Sequence, residues 1–329
     1  MDIELKITKK EIVVTVLMLV FSGVVFLALQ TVLYFQLEYE KSMLDKTALV
    51  SMENPSKENL FKDLALSAKS YYILDLQTGE TIAELNGEIQ LPLASLTKLM
   101  TSLVASKINP EKTLVEIDEN DLANEGDSGL VLGERWNLKD FLDFVLVTSS
   151  NDGARALASV QSAFAVDDEN FNLDLASSFI DKMNTESKNL GMRQSYFLNE
   201  SGLDVNANIS GGYGSAKDMA ILMETILREY PSLLEASSYG NLVLNSDIAT
   251  HEISNTNIIV DRLPGVVASK TGYTDLAGGN LVMAFDLGMN HKIIISVLGS
   301  TKEERFSDVE KLIWASLKNE FNRDVQKLI

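Results

Sequence analysis

The stretch SYYILDLQTGETIAEL, residues 70–85, decides how this chain is built. An apolar run, a turn at Gln77-Thr78-Gly79 and a second run read as a β-hairpin. Runs that would extend it into a sheet come only near the other end: GVVASKTG (265–272), GNLVMAFDLG (279–288) and KIIISVLG (292–299). They are short and separated by Gly and Asn turns, as strands are. From Ser95 to about Glu235 the pattern is helical instead. NLKDFLDFVLV (137–147) spaces Leu138, Phe141, Leu142, Val145 and Leu146 along one face behind an Asn137 cap. SSFIDKMNTESKNLGM (177–192) and SAKDMAILMETILREY (215–230) repeat the helical period, and a last helix spans about Lys302 to Asn322. Strands at both ends with helices between predict an α/β (α+β) fold. One sheet, assembled from both ends, is covered by helices and carries a helical insertion.

Outward from the hairpin, IVVTVLMLVFSGVVFLALQTVLYF (12–35) carries no charge. As a helix it reaches roughly 36 Å, enough to cross a hydrocarbon core of about 30 Å. Ala28-Leu29-Gln30 makes a poor signal-cleavage site, so the segment reads as an uncleaved anchor. Lys6, Lys9 and Lys10 precede it while Glu38 and Glu40 follow, which orients the N-terminus inward. The expected layout is a cytoplasmic tail (1–11), a single-pass membrane anchor (12–36), a charged stalk broken at Asn54-Pro55 (37–65) and a folded extracytoplasmic domain (66–325).

Composition narrows the chemistry. The 329 residues carry a net charge of -19, which argues against nucleic acid as a partner. The absence of cysteine excludes a thiol nucleophile, thiolate zinc sites, iron–sulfur clusters and disulfides. His251 and His291 are the only histidines, too few for a metal site built on several of them. No metal or other cofactor is called for. Most serine hydrolases activate their serine with histidine, so a serine enzyme here would use lysine.

PLASLTKLMTSLVA (92–105) offers such a pair. Helix residues three apart share a face, so the Ser95 hydroxyl and the Lys98 amine can meet. Taken alone, Ser95 reads as a helix cap and Lys98 as a lysine that snorkels to water. Two further elements follow in order: Ser149-Ser150-Asn151 after a helix, and Lys270-Thr271-Gly272 on an apolar strand. Ser-x-Asn recurs at Ser187-Lys188-Asn189, but Ser-x-x-Lys and Lys-Thr-Gly each occur once. Order and placement match the signature shared by penicillin-binding proteins and serine β-lactamases.

The chain resembles the serine D-alanyl-D-alanine carboxypeptidases, the low-molecular-mass penicillin-binding proteins, over about residues 66–320. LPLASLTKLMT (91–101), LVTSSNDGARALA (146–158), FLNESGLD (197–204), SAKDMA (215–220) and KTGYTDLAGGNLV (270–282) carry the resemblance. It implies a β-lactamase/transpeptidase-like α/β/α sandwich with an antiparallel sheet and a helical lobe. It also implies a peptidoglycan stem peptide ending in D-Ala-D-Ala as substrate, and β-lactams as covalent inhibitors.

On that resemblance Ser95 would be the nucleophile and Lys98, with a lowered pKa, its base. The charge of Lys270 would help lower it. Ser149 would relay a proton to the departing amine, and Asn151 would bond the substrate amide or orient Lys98. Lys270 and Thr271 would hold the substrate carboxylate, and Gly272 would let the strand approach closely. The backbone N–H groups of Ser95 and Tyr273 would form the oxyanion hole. Arg305 would add to the positive field or sit in a surface ion pair, and Asp204 reads as structural. Departures are Val267-Ala268-Ser269 before the third motif and Ser201 where histidine is frequent. A D,D-endopeptidase with the same apparatus and a non-catalytic wall-binding protein are the alternatives. A β-lactamase is disfavoured, because ESKNL (186–190) reverses the Glu-x-x-Leu-Asn order.

Overall fold

A computed structural model describes residues 57–110, 112–123, 129–164 and 175–328, with 30, 31 and 38. The chain divides after Asn59, and the unit from Leu60 onward carries the fold. The division falls inside α1 (Lys57–Lys62), and the elements that follow are β1 (Ser70–Asp75), β2 (Thr81–Leu85), β3 (Leu91–Pro92) and α2 (Thr97–Ile108). Then come β4 (Leu114–Glu116), β5 (Arg135–Asn137), α3 (Leu138–Thr148), α4 (Asn151–Phe164), α5 (Leu175–Asn189), β6 (Tyr196–Phe197), β7 (Gly212–Gly214) and α6 (Ala216–Glu229). The last are β8 (Asn241–Asn245), β9 (Thr250–Ser254), β10 (Val266–Thr274), β11 (Gly278–Asp286), β12 (Lys292–Ser300) and α7 (Glu304–Leu328).

The hairpin of residues 70–85 forms, its turn closed by the Gly79 N–H on the Asp75 carbonyl at 2.9 Å. The five-stranded sheet has the order β10-β11-β12-β1-β2 and is antiparallel throughout. Its halves, from opposite ends of the unit, meet where Ile73 of β1 pairs with Ile295 of β12. Period-2 alternation gives each face its own core. Leu281, Met283, Phe285, Ile293, Ile295 and Val297 pack beneath α7 with Phe306, Val309, Leu312 and Ile313. Tyr72, Leu74, Val282, Ala284, Ile294 and Leu298 face the other way, onto α6 and the helical lobe of α2–α5. A sheet buried on both faces explains why β11 and β12 read as near-continuous apolar runs.

Helices start where polar caps stand: Asn137 accepts from the Asp140 N–H at 2.9 Å, and Ser215 from the Asp218 N–H at 3.1 Å. Three boundaries differ from expectation. A 3-10 turn, Ala94–Leu96, precedes α2, which begins at Thr97 rather than Ser95. The last helix runs on to Leu328. Phe61 is buried in the core under α7, so the end of the stretch expected as stalk belongs to the folded unit. The expected anchor (12–36) lies outside the described residues apart from 30 and 31. Among the described residues no helix is long and apolar enough to cross a membrane.

Candidate active site

Ser95 sits in the 3-10 turn, directly after Ala94, whose φ of 49° is a left-handed conformation that non-glycine residues rarely adopt. The Ser95 hydroxyl does not cap the helix; it accepts from the Lys98 amine at 2.9 Å. Lys98 is fully buried and also donates to Asn151 Oδ1 at 2.7 Å and to the Ser201 carbonyl at 2.8 Å. Its amine therefore does not snorkel. Burial pushes its pKa down to about 7, against a smaller upward pull from Glu200.

Two devices bring Lys98 its partners. Ser149 closes α3 in the left-handed region (φ 63°, ψ 33°), so the chain turns sharply and α4 starts with Asn151 aimed at the lysine. The carbonyl of Ser201 is delivered by a tight turn around Asn199, whose Oδ1 accepts from the Gly202 N–H at 2.7 Å. Gly202 (φ 79°) presses so closely on the nucleophile turn that a Cβ there would lie 2.0 Å from the Ala94 carbonyl oxygen. Only glycine fits.

The third element lies on β10, the sheet's edge strand. The buried Lys270 amine donates to Ser149 Oγ at 2.8 Å and to the Thr271 carbonyl at 3.0 Å. Its pKa is held well below the lysine range by burial, then by repulsion from Lys98 and Arg305. Burial is the first cause of the lowering at both amines, and the two cations repel each other. The Thr271 hydroxyl pairs with Thr256 Oγ1 at 2.7 Å. Tyr273 is half exposed, with the Lys302 amine 5.1 Å from its ring centroid. Gly272 runs against the nucleophile turn: a Cβ there would meet the Ser95 nitrogen at 3.1 Å.

All eight residues marked in the sequence thus belong to three packed segments. The structure adds others. Asn280 Nδ2 donates to the Pro92 and Leu93 carbonyls, each at 3.0 Å, which ties the nucleophile segment to β11. Arg305, buried rather than in a surface pair, donates to the Gly272 carbonyl at 2.7 Å and so braces β10. Asp204 joins the loop after Gly202 to the β10–β11 turn by accepting from Thr274 Oγ1 at 3.0 Å. The Ser201 carbonyl had no sequence signal, because every residue has one. His251 pairs with Glu134 at 2.9 Å and His291 with Asp75 at 3.0 Å, both as structural contacts. Ser269 bonds Ser237 and Asn257 behind the site.

Such a site can take a proton from Ser95 without a histidine. The base must be neutral, so the rate of Ser95 acylation is expected to fall about tenfold per unit below pH 7 and to level off above it. A pH–rate profile from pH 5 to 9 checks this, and a flat profile across pH 6–8 would sink it.

A family model described as D-alanyl-D-alanine carboxypeptidase matches residues 55–302. D-alanyl-D-alanine carboxypeptidase DacF of Bacillus subtilis is 29% identical over 258 residues, covering 76% of this chain and 62% of that protein. D-alanyl-D-alanine carboxypeptidase DacA of Escherichia coli is 26% identical over 260 residues, covering 75% and 60%. The chain thus spans about three fifths of the length of these curated relatives. Among solved structures, penicillin-binding protein D2 of Listeria monocytogenes in its ampicillin-bound form matches with a TM-score of 0.65 at 25% identity. That match covers 77% of this chain and 98% of the other.

Proposed function

Because the chain belongs to the D-alanyl-D-alanine carboxypeptidase family, we propose that it removes the terminal D-alanine from peptidoglycan stem pentapeptides through an acyl-enzyme on Ser95. The observation that carries the reading is the fully buried Lys98 amine, 2.9 Å from Ser95 Oγ. Lys98 takes the hydroxyl proton as Ser95 Oγ bonds to the carbonyl carbon of the penultimate D-alanine. The peptide C–N bond breaks, and the departing amine receives a proton by way of Ser149, which Lys270 holds at 2.8 Å. Water then hydrolyses the ester and restores Ser95. Thr271 and Lys270 receive the substrate carboxylate, whose charge favours the protonated form of Lys270. The N–H groups of Ser95 and Tyr273 receive the developing oxyanion.

β-Lactams, which present an acyl group to the same nucleophile, are proposed as covalent inhibitors; the ampicillin-bound relative supports this. The uncharged stretch 12–35 supports a single-pass anchor, with the catalytic unit on the extracytoplasmic side.

The test gives the full chain a linear pentapeptide ending in D-Ala-D-Ala and, separately, a cross-linked muropeptide dimer. Mass spectrometry locates any penicillin adduct. The expected result is D-alanine release from the linear peptide and an adduct on Ser95. Cleavage of the dimer alone would make the chain an endopeptidase. Neither turnover nor adduct would leave a wall-binding protein.

A further inference from the structure

Beyond the catalytic set, a second layer grips the segment that covers Lys98. Helices α2 and α4 supply Lys98 and Asn151, and one turn further along each presents another side chain to Glu200. Thr101 Oγ1 donates to the Glu200 carbonyl at 2.6 Å, and Arg155 Nη1 lies 3.6 Å from Glu200 Oε1. Glu200 is 5% exposed, whereas the Arg155 side chain keeps 40% of its surface. The next carbonyl, of Ser201, is the one that accepts from Lys98. A buried carboxylate is thus fixed on the residue next to the one whose carbonyl holds Lys98, with its countercharge approached from solvent.

We propose that Glu200 and Arg155 form a charge pair that sets how readily Lys98 gives up its proton, with Arg155 screening Glu200 from the lysine. The proposal rests on Lys98 being the base, as above. Glu200 is a positioning residue, since it acts through Lys98. In the low-dielectric interior its charge is felt strongly, and it is the charge that favours protonated Lys98 against burial. The other charged groups near this assembly are Lys270 on β10 and Arg305 behind it on α7, and Asp152, next to Asn151 in the chain, is buried on α4. Asp121, buried and bonded to Ser159 of α4, also faces Arg155.

The two partners should move the base in opposite directions. Glu200→Gln removes the charge that favours the proton, so Lys98 becomes neutral at lower pH. Arg155→Gln unscreens Glu200, so Lys98 stays protonated to higher pH. A defect of packing alone would shift neither limb, or both the same way.

The experiment measures acylation of the full chain by a fluorescent penicillin from pH 5 to 9, with thermal melts as controls. The acid limb is expected to move down by about one pH unit in Glu200→Gln and up by about half a unit in Arg155→Gln, with Arg155→Lys restoring the parent profile. If Glu200→Gln does not fold, the Arg155 variants decide, because that side chain is partly exposed to solvent. Limbs that stay within about 0.2 unit of the parent, or move together, would overturn the charge pair alone. A parent that is not acylated at any pH would overturn the functional reading and this one with it.

Discussion

Lys98→Met is expected to slow acylation of Ser95 by about 10⁴-fold while leaving the fold at least as stable as the parent near pH 7. The rate falls because Ser95 Oγ loses the amine at 2.9 Å and no histidine stands in reserve. The stability effect follows from the depressed pKa, about 7 in the folded chain against 10.5 for an ordinary lysine. Below pH 7 the lysine is charged in both states, and the folded state bears the full cost of burying that charge. Between the two values only the unfolded chain binds the proton, so the cost shrinks as pH rises and is gone above the upper one. Methionine fills a similar volume without charge. Its benefit, of the order of a few kcal/mol, should therefore be greatest at or below pH 7 and fade towards alkaline pH. The Ser95, Asn151 and Ser201 oxygens each lose a donor, which offsets part of it. Acylation kinetics beside melts at pH 6 and 10 check both halves. Acylation within tenfold of the parent would remove Lys98 from its role.

Gly272→Ala is expected to lower kcat/KM by about 10²-fold and to destabilise by about 1–3 kcal/mol. The added Cβ would meet the Leu93 oxygen at 2.9 Å, the Ser95 nitrogen at 3.1 Å and the Ala94 Cβ at 3.2 Å. Neither side yields easily. Arg305 holds the Gly272 carbonyl at 2.7 Å, and Asn280 anchors the segment before Ser95. The strain therefore falls on the nucleophile turn, which already carries a left-handed Ala94. Peptide turnover and melting together test this. Unchanged turnover in a folded variant would mean that the strand and the turn can part without consequence.

These two substitutions also mark how much was legible in advance. Periodicity named the hairpin at 70–85, the capped helix after Asn137 and the apolar strands β11 and β12, because local spacing records which face is buried. Rarity and order picked out Ser95, Lys98, Ser149, Asn151 and Lys270, since each motif is a few residues of defined chemistry. What spacing does not encode is contact across the chain. The start of α2 at Thr97 was missed because the turn before it is shaped by Gly202 and Gly272, each far away in sequence.

The sequence by itself determined most of the strand and helix content and singled out Ser95, Lys98 and the strand that carries Lys270. Those follow from side-chain chemistry and local period. Only the tertiary structure decided that Lys98 is sealed from water, with a backbone carbonyl and an asparagine as partners. It alone showed that Lys270 is buried against Ser149 and that Glu200 and Arg155 pair behind the segment that covers Lys98. A pKa depends on solvent exclusion and on charges brought together by folding, and neither is a property of residues next to each other in the chain.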